Sequence, residues 1–198
     1  STGVPSIVEA PGSVSALPRA TSMKSRCSAA LIRVVSAFHD PNPGAMVQVA
    51  LAPCSPFSVS RELMRDAAIL ARQKGVRLHT HLAENAEDVD YSRRMFGLTP
   101  GDYAESVGWT GEDVWHAHCV KLSPEEIALF ARTGTGVAHC PCSNARLASG
   151  IAPVRAMRDA GVSIESMIQR GEAPDGGVMV VMTTHEAPGR AIGLAGVH

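Results

Sequence analysis

Between residues 46 and 164, short apolar runs alternate with helical patterns about once every 30 residues, the rhythm of βαβ units. Met46–Ala52 is an apolar strand stopped by Pro53. In Arg61–Lys74, Leu63, Met64, Ala67, Ala68, Leu70 and Ala71 fall at helical spacing, and Gly75 stands where a helix stops. Val76–Leu82 is a second strand, and Thr99-Pro100-Gly101-Asp102 opens a short helix. Asp113–Val120 is a third strand. Ser123-Pro124-Glu125-Glu126 is a capping box with proline in the first turn, and it starts a helix through Ile127–Arg132. Gly136–His139, a helix over Ala152–Ala160 and a strand over Val162–Ile164 complete the pattern. Four or five units of this kind predict an α/β fold with a parallel sheet.

The flanks differ. Residues 1–45 are rich in Ser, Pro, Ala and Gly, with one helix-like stretch from Ala29 to Phe38. After Ile164 the pattern breaks; Val178–Met182 is apolar, and Thr183–His198 is aperiodic. Three segments follow: 1–45, 46–164 and 165–198. No run reaches the about 18 apolar residues of a membrane helix, and the first residues lack the layout of a signal peptide. A net charge of −1 and 4 % aromatic residues leave no basic patch or stacking platform, so neither nucleic acid nor a membrane is an expected partner.

Histidine closes three successive strands: His79-Thr-His81-Leu-Ala-Glu84, His116-Ala-His118-Cys119 and His139-Cys140-Pro141-Cys142-Ser143-Asn144. In parallel α/β sheets, ligand chemistry gathers beyond the carboxyl ends of the strands. A neutral imidazole at His81 suits zinc, and a carboxylate three residues later, at Glu84, can shuttle a proton from a metal-bound water. The same residues would also serve as a solvated strand end. His79 faces the same way as His81; either both rings bind one metal, or His79 packs deeper beside a single ligand, the arrangement favoured here. Of His116 and His118, the latter is nearer the strand mouth and is the candidate functional residue, the alternative being a buried, hydrogen-bonded histidine. His139 fits a structural role as readily as a functional one.

Five cysteines at irregular spacings do not suggest a disulfide framework, and a reducing cytoplasm is the expected compartment. Cys140-Pro-Cys142 lacks Cys-x-x-Cys spacing, and Pro141 suits a turn. A nucleophilic Cys54 or Cys142 is the rival chemistry, but nothing in the sequence lowers either thiol's pKa, and inert buried thiols are expected.

Taken in order, LAPCSPFSVS (51–60), HTHLAEN (79–85), WHAHCV (115–120) and HCPCSNARLASGIAPV (139–154) resemble the amidohydrolase superfamily, in its purine and triazine aminohydrolase branch. The resemblance is nearest to 8-oxoguanine deaminases and covers about residues 46–164. It implies a partial (β/α)8 (TIM) barrel in which strands 4–8 are represented. It also implies one Zn2+, or Fe2+, held by a His-x-His pair after strand 1, a histidine after strand 5 and an aspartate after strand 8. By this resemblance His81 is the strand-5 metal ligand, Glu84 is the proton shuttle, and His118 contacts substrate and the attacking water. Ser143 and Asn144 belong to the strand-7 loop, with Asn144 a substrate-binding residue. His79-x-His81 could be taken for the strand-1 pair, but Glu84, His118 and the Ser-Asn loop follow in the order of strands 5, 6 and 7. The implied reaction is hydrolytic deamination of a purine-type base, foremost 8-oxoguanine. Guanine and hydroxyatrazine-type triazines are the alternatives.

Two parts of that family's metal site have no counterpart. No His-x-His precedes residue 46, and in register the strand-8 aspartate falls on Gln169, with Asp175-Gly176 aligning to a later position. Register kept while identities are lost from Glu165 onward implies a shifted reading frame, which the other two frames of the underlying DNA would test. Against a barrel of about 250 residues, 198 residues imply the middle-to-late part of a larger enzyme. A partial barrel leaves an open sheet edge, so self-association into a homo-oligomer, or aggregation, is expected. The alternative of another class is a non-catalytic barrel fragment that needs a partner chain.

Overall fold

The computed structural model describes residues 31–42, 45–166 and 178–182. Residues 31–38 form helix α1, which buries Leu31 and Val35. Then follow β1 (Val47–Leu51), α2 (Arg61–Lys74), β2 (Arg77–Leu82), α3 (Ala86–Phe96), α4 (Pro100–Ser106) and β3 (Val114–His118). The series continues with α5 (Pro124–Thr133), β4 (Gly136–His139), α6 (Pro141–Arg146), α7 (Val154–Asp159), β5 (Ile164–Ser166) and β6 (Val178–Met182).

The six strands form one sheet in the order β5-β4-β3-β2-β1-β6, and every pairing is parallel. Between β1 and β5 each strand pairs with the next in sequence, with helices in every connection, the arrangement the alternation predicts. β6 departs from that order. It pairs with β1 over five positions, from Val47↔Val178 to Leu51↔Met182, and so covers the β1 edge.

Caps set the helix limits. Ser60 accepts from the Leu63 N–H, and Gly75 ends α2 in the left-handed region at φ 66°. Ser123 and Glu126 cap α5 reciprocally. Glu126 also does more than the capping box requires. It is 3 % exposed, one carboxyl oxygen accepts from Ser123 N–H at 2.7 Å, and the other accepts from Gly101 N–H of α4 at 2.6 Å. A Cβ at Gly101 would lie 2.8 Å from Glu126 Cγ, so this close approach requires glycine.

Two elements differ from the expected pattern. α3 occupies a stretch with no predicted helix. Only Ser92 of it is buried, so its apolar periodicity is thin, although Asn85 caps it and Gly97 stops it. Pro141, expected in a turn, is the first residue of α6; its fixed φ and missing N–H suit that position.

One face of the sheet packs under the helices: Leu78, Thr80, Leu82, Val114 and His116 are all buried there. The opposite face carries His79, His81 and Trp115, which are partly exposed. Among the described residues no helix is long and apolar enough to cross a membrane.

Candidate active site

The site lies beyond the carboxyl ends of β2 and β3, where the backbone leaves regular strand geometry. Ala83, His118 and Cys119 have φ of 49°, 71° and 49°, conformations that non-glycine residues rarely adopt and that concentrate at functional sites. Strict alternation would send His118 to the helix side with His116. The left-handed turn re-aims it, and its ring stacks on His81 with centroids 5.2 Å apart.

His81 is held by the loop after β1. Its N–H donates to the Cys54 carbonyl at 3.0 Å, and its Nδ1 lies 2.7 Å from the same oxygen. Nδ1 therefore carries the proton, and Nε2 keeps its lone pair. The buried Thr80 hydroxyl fixes the loop by donating to the carbonyls of Pro53 (2.7 Å) and Cys54 (3.1 Å). The hydrogen bond between the Cys54 and His81 side chains raises the imidazole pKa and lowers that of the thiol, with burial opposing both. This corrects the expectation of uniformly inert, buried thiols: the sequence gives no hint of the histidine beside Cys54. Cys119 is buried, with its pKa pushed well up by desolvation, whereas Cys142 is exposed. The four described cysteines are free.

Glu84 begins the turn into α3, and its N–H donates to Asp88 at 2.9 Å. Its Oε1 accepts from Ser149 Oγ at 3.3 Å and lies 3.6 Å from His118 Nδ1. His118 Nδ1 makes its closer contact, 2.7 Å, to Asn144 Oδ1. Asn144 is 2 % exposed, lies in α6, and its Nδ2 has no partner. With His139, Pro141 and Ile151 it lines a cavity of about 260 Å³. His139 Nδ1 is likewise unpartnered. The structure thus brings His81, Glu84, His118 and Asn144 together. Ser149, Thr80 and the Cys54 carbonyl join them unforeseen.

His79 borders that cluster, its ring centroid 5.8 Å from that of His81. His79 stacks on Trp115, with centroids 4.9 Å apart, and desolvation first, then the neighbouring His81, push its pKa down to about 3. His116 is fully buried against Phe130, its Nε2 3.0 Å from the Trp109 carbonyl, and burial lowers its pKa to about 4.

The orientation of His81 is that of a metal ligand, because a ligating imidazole usually gives its other N–H to a carbonyl or carboxylate. One oriented donor does not make a site. Among the described residues no group of three or more His, Cys, Asp or Glu side chains could hold a metal. Gln169, Asp175 and His185 lie outside the described residues. The described donor set alone does not fit the zinc or iron centre that the resemblance implies.

A parallel β/α sheet with its polar cluster at the strand mouths is the architecture of part of a (β/α)8 barrel. More narrowly, the chain belongs to the amidohydrolase family, whose sequence profile matches residues 5–187. It is 45 % identical over 149 residues to 8-oxoguanine deaminase of Pseudomonas aeruginosa, covering 75 % of this chain and 33 % of that protein. It is 48 % identical over 133 residues to isoxanthopterin deaminase of an unknown prokaryotic organism, covering 67 % and 28 %. Zinc-complexed atrazine chlorohydrolase TrzN of Arthrobacter aurescens TC1 superimposes with a TM-score of 0.68 at 35 % identity, over 72 % of this chain and 31 % of that one. The chain spans about a third of the length of these relatives.

Proposed function

We propose that this chain is the part of a hydrolytic deaminase that carries its proton-moving carboxylate, acting on an amino-substituted purine-type base, foremost 8-oxoguanine. The reading rests on one convergence: Glu84 stands 3.6 Å from His118, whose ring stacks on His81, at the mouths of two adjacent strands. The deaminases among its relatives support C–N hydrolysis as the chemistry. Water attacks the ring carbon that bears the amine, and Glu84 takes up the water's proton. A C–O bond forms. The C–N bond then breaks as Glu84 delivers the proton to the departing nitrogen, and ammonia leaves. His118 contacts the substrate and the attacking water, its Nε2 lone pair accepting from that water. The spare Asn144 amide donates to an acceptor on the ring. His81, with its free Nε2, would be one ligand of a divalent metal, zinc foremost, that polarises the attacking water.

A second reading has its own support in the single oriented donor. The chain is then a barrel portion, self-associating or joined to a further chain, that becomes catalytic only when completed.

The test is ammonia release from 8-oxoguanine and isoxanthopterin, with zinc supplied, by this chain and by the gene product that carries it. Release abolished by Glu84→Gln is expected. Release only from the larger product favours the second reading. Release unaffected by Glu84→Gln, or none from either protein, overturns the deaminase assignment.

A further inference from the structure

The contact between His118 and Asn144 has a consequence for Glu84. His118 Nδ1 has two oxygens within reach, Asn144 Oδ1 at 2.7 Å and Glu84 Oε1 at 3.6 Å. An amide oxygen only accepts, so the shorter contact places the proton on Nδ1 and leaves the lone pair on Nε2. Without that amide, the nearest acceptor for the Nδ1 proton is the Glu84 carboxylate. A hydrogen bond there would tie up the group that has to move protons.

We propose that Asn144 is a positioning residue for His118: it fixes the Nδ1–H tautomer and holds the ring off Glu84. The proposal rests on Glu84 being the proton-moving group and adds to it how that group is kept free.

The local fold is built for this. Asn144 N–H donates to the Cys140 carbonyl at 2.9 Å, anchoring the residue in the first turn of α6. Ala148, at φ 55°, turns the chain back, and Ser149 N–H donates to the Asn144 carbonyl at 2.9 Å. The Ser149 hydroxyl then reaches Glu84 Oε1 at 3.3 Å. One short segment therefore contacts both members of the pair, taking His118 through Asn144 and Glu84 through Ser149. Asn144 and Ser149 are both buried, at 2 % and 7 % exposure, and the His118–Asn144 contact is buried with them.

Histidine ring ¹⁵N NMR reads the tautomer directly and needs no turnover. The spectra are taken at alkaline pH, where an imidazole carries a single proton, and the His118 signal is assigned by its loss in His118→Gln. Removing Glu84 as the alternative acceptor isolates the role of Asn144. The Nδ1–H form is expected in the unaltered chain, in Glu84→Ala, and in Glu84→Ala with Asn144→Asp, where a carboxylate restores the acceptor. The Nε2–H form is expected in Glu84→Ala with Asn144→Leu. Asn144→Ser, whose hydroxyl is too short to reach, gives the same readout should the leucine variant not fold. Nδ1–H persisting in the Leu or Ser variant, or lost in Glu84→Ala alone, overturns the proposal. Absence of ammonia release would instead remove the deaminase reading and leave the tautomer result standing.

Discussion

The Cys54 carbonyl oxygen sits 2.7 Å from His81 Nδ1 and 3.0 Å from His81 N–H, so one backbone group from the β1 loop fixes both the position and the tautomer of the strand-end imidazole. The loop itself depends on Thr80, which is 1 % exposed and spans the Pro53 and Cys54 carbonyls. Thr80→Val keeps the shape and deletes the donor. It is expected to cost about 2 kcal/mol, because a buried carbonyl loses its hydrogen bond. Urea denaturation measures this; an unchanged midpoint would show that the hydroxyl does not hold the loop.

Glu126 offers a second structural test. Its two carboxyl oxygens take one backbone N–H from α5 and one from α4 inside the core. Glu126→Ala strands both donors, and a loss of about 3 kcal/mol is expected from hydrogen bonds of this kind. Glu126→Gln retains one acceptor and should lose clearly less. Gly101→Ala forces the same contact apart from the other side and should also destabilise. Equal stabilities for Glu126→Ala and Glu126→Gln would mean that packing, not hydrogen bonding, is the service Glu126 provides.

These residues show how far a sequence carries. Ser123 and Glu126 announce the start of α5 because a capping box is local and chemically distinctive. The link from Glu126 to Gly101 crosses 25 positions and leaves no such mark. His81, Glu84 and His118 are legible because strand ends in a parallel sheet converge. Ser149 is not, since a serine 65 residues from Glu84 differs in no way from other loop serines until the chain folds. The Cys54 carbonyl is silent for a deeper reason: every residue has one. α3 is poorly marked because Phe96 alone of its side chains packs against the core, too little for an apolar period, leaving the caps Asn85 and Gly97 as its signals.

Acid should weaken the fold through His116. Burial holds its pKa at about 4 in the folded chain, against about 6.5 for a free imidazole. Between those values the unfolded chain binds a proton that the folded chain does not, so stability falls as pH falls through that window. A shift of this size corresponds to roughly 3 kcal/mol as an upper bound. The expected result is a denaturation midpoint that declines from pH 7 to pH 4 and declines less in a His116→Gln variant, with His79, held at about 3 by burial, contributing the remainder. If that variant keeps the full decline, other groups govern the acid limit.

Zinc binding separates a ligand from a complete site. His81 presents Nε2 with its tautomer fixed, but no three-donor cluster exists among the described residues. Structural and catalytic zinc sites take three or four protein donors. After dialysis against zinc-free buffer, this chain alone is expected to retain well under one zinc per molecule. His81→Ala should lower even the weak binding seen by titration. Stoichiometric zinc surviving dialysis would mean that residues outside 31–42, 45–166 and 178–182 complete the ligand set. Loss of that tight zinc in His81→Ala would still identify His81 as a ligand, whereas its retention would remove His81 from the metal site altogether.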